Sequence, residues 1–235
     1  MKQFYILLLS LLSFSLTLSA QHKDFILPSI LSDHAVLQRN SEVKLWGWCP
    51  SIWNLKIVCS WMPTDTIRTQ ADKNCAWSVY VNTPDAGGPH SIRFYGWQGR
   101  LEAEINDILM GESWLCSGQS NMEYNFNWRV SDAGDIGTML ANREVRFFKV
   151  PVGFSTQPLE KIGGKWEVCT PESYKDFSVV GFFFGQRLHG ELNVPVGLIG
   201  SYWGGTAVQP WTPASTYALE PALEEKANRL PASWA

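Results

Sequence analysis

Residues 108–122 read ILMGESWLCSGQSNM, and this stretch decides the fold of the second half of the 235-residue chain. Its apolar run stops at Ser117 and Gly118. A short apolar run bounded by turn residues is typical of a buried strand. Ser120 then stands at a tight turn before a predicted helix, so the stretch predicts the strand–turn–helix order of an α/β domain.

The chain that follows repeats this order. A strand is predicted over 145–150 and a helix over 177–192, which Asp176 or Ser178 can cap and Asn193 ends. A buried strand over 196–200 comes next, and a further helix is predicted over 213–229. Alternating strands and helices predict a parallel sheet with covered faces. Ligands bind such sheets at the carboxyl ends of the strands, where the Gly-bearing loops 117–122 and 203–206 are expected.

The chain before residue 107 has a different pattern. Apolar and polar residues alternate with a period of two around 43–48, 55–60, 77–82 and 92–95, with turn residues between them. Several short strands at this spacing predict an antiparallel β-sandwich. We therefore predict a β-sandwich domain over 21–107 and part of an α/β domain over 108–235.

The first twenty residues resemble a secretory signal peptide. Lys2 is followed by about 15 apolar or hydroxylated residues, and Leu18-Ser19-Ala20 ends the run with small residues. The run is shorter than the roughly 20 residues that a membrane-spanning helix needs. We expect cleavage near Ala20 and export to the periplasm or the extracellular space.

Composition excludes several classes of protein. Hydrophobic residues make up 45% of the chain and charged residues 17%, which is unlike a disordered chain. The net charge is −3 and there is no basic run, so we expect no nucleic-acid partner and, after signal cleavage, no membrane partner. The five cysteines, an odd number, form no metal-binding spacing, so no zinc site is predicted.

Ser120 is the candidate for chemistry. At a turn between a strand and a helix, backbone N–H groups of the helix start lie near its hydroxyl, as a nucleophile beside an oxyanion hole requires. Met122 replaces the second glycine of a G-x-S-x-G elbow. A simple turn or a helix cap is the alternative.

Longer motifs carry a family resemblance. The run 111–123, GESWLCSGQSNME, closely resembles the nucleophile block of sialate O-acetylesterases, which are SGNH-type serine esterases of carbohydrates. Segments 32–39, 176–185, 194–199 and 203–206 agree with that family in order. The resemblance covers nearly all of residues 25–215.

The resemblance implies a set of roles. Ser120 is the nucleophile that accepts the acetyl group, and no metal or organic cofactor is needed. Its own N–H and that of Gly205, or else Gly204, are the oxyanion donors. Gln119 and Asn121 are expected to order the loop by hydrogen bonds or to touch the oxyanion. The implied reaction removes O-acetyl groups from sialic acids or related glycans.

One part of the family pattern is missing. SGNH enzymes place the base and its carboxylate in an Asp-x-x-His block near the C-terminus, and this chain has no such block. Its histidines, 22, 34, 90 and 189, are interpreted as structural or solvated. We expect the chain to correspond to the N-terminal part of such an enzyme, with low stability and little activity alone.

Two other interpretations stay open. Six tryptophans of the first region can stack on sugars as a non-catalytic glycan-binding module would, or pack in a core. They are Trp46, Trp48, Trp53, Trp61, Trp77 and Trp97. A catalytically incomplete fragment is the third interpretation. The sequence does not indicate an oligomeric state.

Overall fold

The computed structural model describes residues 24–128, 142–155 and 158–213, and the single positions 216, 219 and 222. The predicted signal peptide and nearly all of the helix predicted over 213–229 lie outside these residues. The strands are β1 Val36–Gln38, β2 Glu42–Trp48, β3 Asn54–Cys59, β4 Ile67–Gln70, β5 Ala76–Asn82, β6 Gly87–Tyr95, β7 Leu101–Gly118, β8 Val145–Lys149, β9 Trp166–Val168 and β10 Val196–Tyr202. The α-helices are α1 Ser120–Glu123 and α2 Val179–Leu192. Short 3₁₀ helices cover Trp97–Gly99, Phe126–Trp128, Ser173–Asp176 and Gln209–Trp211.

Strand β7 organises the molecule. An eight-stranded mixed sheet runs in the order β4-β3-β6-β7-β10-β8-β9, and β1 also pairs with β7. The first half of β7 is antiparallel to β6, and its last seven residues are parallel to β10. One strand therefore belongs to both regions that the sequence predicts.

The second half has the predicted α/β pattern. β10 lies parallel to both β7 and β8, while β9 is antiparallel to β8. α2 begins after Ser178, whose hydroxyl accepts a hydrogen bond from the Gly181 amide at 3.1 Å, and it ends at Asn193 in a left-handed conformation. The helix packs closely on β10, because a Cβ placed on Gly185 would lie 2.6 Å from Leu198. The mixed sheet with a helix packed on β10 fits an α/β hydrolase-like domain.

The first half has two sheets around one core. β2 and β5 pair as a separate antiparallel ribbon, and their inward residues share a hydrophobic core with the inward residues of β3, β6 and β7. The predicted strands of this region are all present. The separate β-sandwich is not confirmed, because one of the two facing sheets continues through β7 into the second half.

The predicted domain boundary falls inside β7. Asp107 lies there with a φ of +53°, and its carboxylate contacts Nδ1 of His34 at 2.7 Å and Nη2 of Arg146 at 2.9 Å. Arg146 is only 3% exposed. Burial raises the pKa of Asp107, but the hydrogen bonds from His34 and Arg146 outweigh it and hold that pKa below its usual value. The three side chains join the N-terminal segment, β7 and β8.

All five cysteines are buried and none forms a disulfide, as expected of small apolar residues. Burial raises the pKa of Cys59 to about 12 and that of Cys116 to about 11. Across the described residues, no helix is both long and apolar enough to cross a membrane.

Candidate active site

The loops that follow β7 and β10 meet at one edge of the sheet. The two strands are parallel and their last residues, Gly118 and Tyr202, are register partners. Both loops therefore leave the sheet side by side at the carboxyl edge, where α/β sheets bind ligands. The Trp203 amide donates to the Gly118 carbonyl oxygen at 3.0 Å, which ties the second loop to the first.

Ser120 is exposed at the first residue of α1. Gly118 has a φ of +145°, a conformation that side chains rarely adopt, and it makes the sharp turn out of β7. The amides of Met122 and Glu123 donate to the Gln119 carbonyl oxygen. The amides of Ser120 and Asn121 donate to no acceptor among the described residues, as is usual in a first helical turn.

Gly204 lies directly beside Ser120. A Cβ placed on Gly204 would be 3.4 Å from Cα and 3.5 Å from Cβ of Ser120. The Gly204 amide donates to Oε2 of Glu123 at 2.6 Å, so this N–H group is already used. Gly205 has a φ of +75°, is exposed, and its amide has no acceptor among the described residues.

Glu123 is the site residue that the sequence analysis missed. Ser120 and Glu123 have the spacing of a capping box, in which the glutamate bonds back to the start of its own helix. Here the carboxylate contacts the neighbouring loop instead. The spacing was visible in the sequence, but the partner depends on the pairing of β7 with β10.

The side chains of Gln119 and Asn121 do not order the loop through hydrogen bonds with described residues, so contact with the oxyanion stays as the other predicted role. Both are exposed, and neither forms a side-chain hydrogen bond with a described residue. The backbone carbonyl of Gln119 orders the loop in their place. The side-chain amide groups of Gln119 and Asn121 are therefore available to a ligand at this edge of the sheet.

The three described histidines lie elsewhere. His34 forms a hydrogen bond with Asp107. Asp107 is eleven positions before Gly118 in β7, which corresponds to roughly 36 Å of extended strand. His189 contacts the Val194 carbonyl oxygen at 2.8 Å, at the opposite end of β10 from the site. His90 lies in β6 beside Ser60. His22 lies outside the described residues.

Tyr202 lies at this edge of the sheet but does not supply a base. Tyr202 is buried and its hydroxyl accepts a hydrogen bond from the Ser178 amide at 3.2 Å. Burial raises the pKa of Tyr202, so the phenol stays protonated at neutral pH and is a poor base. Among the residues with described positions, no group of three or more His, Cys, Asp or Glu side chains is arranged to hold a metal ion.

The chain is similar to known proteins in sequence and in fold. The chain is 26% identical over 202 residues to the sialate O-acetylesterase of Mus musculus and 30% identical over 146 residues to that of Homo sapiens. The crystal structure of a carbohydrate acetylesterase from Xanthomonas citri superposes with a TM-score of 0.76 at 32% identity and covers 88% of this chain. No family model matches the chain.

The chain is related to the sialate O-acetylesterases. This confirms the family resemblance of the 111–123 motif. The matched parts amount to 37% of the mouse sialate O-acetylesterase and 28% of the human one, and to 45% of the Xanthomonas enzyme. The chain thus spans less than half the length of these esterases.

Proposed function

We propose that this chain carries the nucleophile region of a carbohydrate acetylesterase, with Ser120 as the nucleophile. The contact of exposed Ser120 with the Gly204–Gly205 loop carries the proposal, because it brings a hydroxyl and unused backbone amides together. The names of the related proteins support ester hydrolysis on an acetylated carbohydrate.

The proposed reaction proceeds through an acetyl-enzyme. Oγ of Ser120 attacks the acetyl carbonyl carbon while a base removes its proton. The carbonyl electron pair moves to oxygen, and the N–H groups of Ser120 and Gly205 stabilise this oxyanion. The C–O bond to the sugar then breaks, the sugar oxygen takes the proton, and water later releases acetate from Ser120.

Gly205 is the preferred second donor. The Gly204 amide already bonds to the Glu123 carboxylate at 2.6 Å, whereas the Gly205 amide donates to no described group. A carboxylate that holds Gly204 also keeps the loop against Ser120. Glu123 is therefore a positioning residue in this proposal, and Gln119 and Asn121 are the candidate substrate contacts.

The proposed substrate is an O-acetylated sialic acid or a related glycan, and acetylated xylan suits the same chemistry. We further propose that the chain is exported, on the basis of the signal-like residues 1–20. Export would bring it to extracellular or periplasmic glycans.

The rate of the proposed reaction depends on a base that removes the proton of the Ser120 hydroxyl. None of the described histidines lies at the site, so we expect slow, Ser120-dependent chemistry from this chain alone. Serine hydrolases without their base keep a residual rate of roughly a thousandfold or more over water.

The test uses the purified chain and 4-nitrophenyl acetate. We expect a slow release of 4-nitrophenol and an acetyl group on the Ser120 peptide in mass spectra, and both should disappear in Ser120→Ala. Equal rates and equal labelling in the two proteins would contradict the proposal. Rapid Ser120-dependent turnover would support the nucleophile and contradict the expected absence of a base.

A further inference from the structure

The outer face of the β2–β5 ribbon forms a furrow remote in sequence from Ser120. The furrow has a volume of about 360 Å³. It is lined by Lys44, Trp46, Gly47, Trp48, Gln70, Asp72, Ala76, Trp77, Ser78 and Glu160. Lys44, Trp46 and Trp48 alternate with Leu45, which is fully buried in the core, whereas Gly47 and its partner Trp77 lie on the core-facing side. The even-numbered residues of β2 therefore form a face of their own, as strand geometry requires.

Small residues stand opposite the two indoles of this face. Trp46 is paired with Ser78 and Trp48 with Ala76 across the ribbon. Cross-strand partners lie about 5 Å apart, so large side chains at these two positions would cover the rings. Ser78 and Ala76 are too small to cover the rings, and Trp46 remains partly accessible. Trp46 is the more accessible of the two rings, since Trp48 is only 6% exposed.

Polar groups surround the indoles. Gln70 lies at the end of β4, and Asp72 begins the turn into β5, where its carboxylate accepts hydrogen bonds from the amides of Asn74 and Ala76. Glu160 comes from the second half of the chain and is exposed. An apolar floor with a few convergent polar groups is typical of small-ligand sites.

The charges around the furrow select a neutral ligand. Nζ of Lys44 lies 5.9 Å from the Trp46 ring and Nζ of Lys161 lies 4.4 Å from the Trp48 ring. These ammonium groups oppose an organic cation, which aromatic sites otherwise favour. Asp72 and Glu160 oppose an anion in the same way. A neutral molecule with an apolar face and several hydroxyl groups is repelled neither by the ammonium groups nor by the carboxylates.

We propose that this furrow binds neutral sugar units of a glycan, with Trp46 as the stacking platform and Glu160 as a hydroxyl acceptor. The choice of a sugar rests on the proposed carbohydrate acetylesterase function. Binding here would hold a polymer on the protein through unmodified units while Ser120 acts on an acetylated one. It requires no chemistry in the furrow.

The test is calorimetric titration of the purified chain with xylohexaose and cellohexaose, beside 3′-sialyllactose and choline. We expect at least one neutral hexasaccharide to bind, and Trp46→Ala to weaken that binding by about tenfold through loss of the stacking surface. Glu160→Gln, on an exposed loop, should weaken it less without changing the unfolding temperature. Trp97→Ala, an exposed tryptophan outside the furrow, is the matched control and should bind normally.

Three results would overturn the proposal. They are no binding of either neutral hexasaccharide, tighter binding of sialyllactose or choline, or equal weakening by Trp46→Ala and Trp97→Ala. Ser120→Ala should bind as the unchanged chain does. Absence of hexasaccharide binding would not affect the acetyl labelling of Ser120. Absence of that labelling would likewise not affect hexasaccharide binding. The two proposals can therefore be contradicted separately.

Discussion

Gly204 is a residue at which the two loops of the site are in direct contact. A Cβ there would lie 2.5 Å from Oε2 of Glu123, too close for any real contact. We expect Gly204→Ala to displace the carboxylate, and loss of its hydrogen bond to the backbone should lower the free energy of unfolding by about 1–2 kcal/mol. Chemical denaturation measures the change.

Gly190 provides the matched control for that substitution. It lies within α2, and a Cβ placed there would meet no atom within 4 Å. Gly190→Ala should therefore stabilise the chain by up to about 1 kcal/mol through helix propensity. A loss of stability from Gly190→Ala, or none from Gly204→Ala, would contradict the described packing.

Asp107 makes the stability depend on pH. Its pKa is held below the ordinary value, so its contribution is complete above the unfolded pKa, near 3.9, and is lost as the pH falls through the lower folded pKa. Asp107→Asn should cost about 3 kcal/mol at neutral pH, because it leaves buried Arg146 without its countercharge. The difference between the two proteins in urea unfolding should shrink below about pH 4.

An exposed ion pair serves as the comparison. Arg93 and Glu104 lie 2.7 Å apart on the surface. Glu104→Gln should cost far less than Asp107→Asn at neutral pH, because water screens the pair. Equal costs for the two substitutions would mean that burial of Arg146 does not matter.

At the scale of elements, α1 and the loop after β10 are held together by one carboxylate. Glu123→Ala should raise the hydrogen-exchange rate of the Gly204 amide, because it removes a charge-assisted hydrogen bond of 2.6 Å. Glu123→Gln keeps an acceptor and should have a smaller effect. Glu191→Ala, in an exposed pair on α2, should leave that amide unchanged, and an effect as large as that of Glu123→Ala would show general loosening instead.

Local patterns predicted some elements well. The helix predicted over 177–192 is observed over Val179–Leu192, because a serine cap and an asparagine end mark its limits chemically. The strand predicted over 196–200 continues to Tyr202. The placement of Ser120 between a strand and a helix also followed from turn residues alone.

Other features depend on distant pairing and were not predictable from local patterns. Residues 101–107 and 108–118 differ in composition, and only their neighbours, β6 and β10, show that they form one strand. Likewise, Glu123 has a capping-box spacing, but its partner comes from a loop 81 positions away. The choice of Gly205 over Gly204 as the oxyanion donor depended on that same contact.

At the scale of the whole molecule, the second half exposes an apolar patch. Trp114 of β7 and the stripe Val180, Phe183 and Phe184 of α2 are each exposed by more than a third, and Trp114 contacts Phe184 edge to face at 5.2 Å. Such a patch on an isolated protein favours association. The inward face of α2 is also apolar, so the helix has the character of a buried one.

The patch should make the purified chain bind the dye anilinonaphthalene sulfonate and associate with itself. Val180→Lys combined with Phe183→Lys should reduce both effects, as fluorescence and light scattering would show. Leu101→Lys changes an exposed leucine at the far end of β7 and should reduce neither. A fully monomeric, dye-free chain would contradict the prediction.

The 18-residue strand β7 also affects how the protein unfolds. Melting of the first sheet would remove the hydrogen-bonding partner of β6 and, through the same backbone, the template against which β10 lies. The halves are thus thermodynamically coupled, and scanning calorimetry should record one heat-absorption peak whose calorimetric and van't Hoff enthalpies agree. Two resolved peaks would mean that the parts of the chain before and after Asp107 unfold independently.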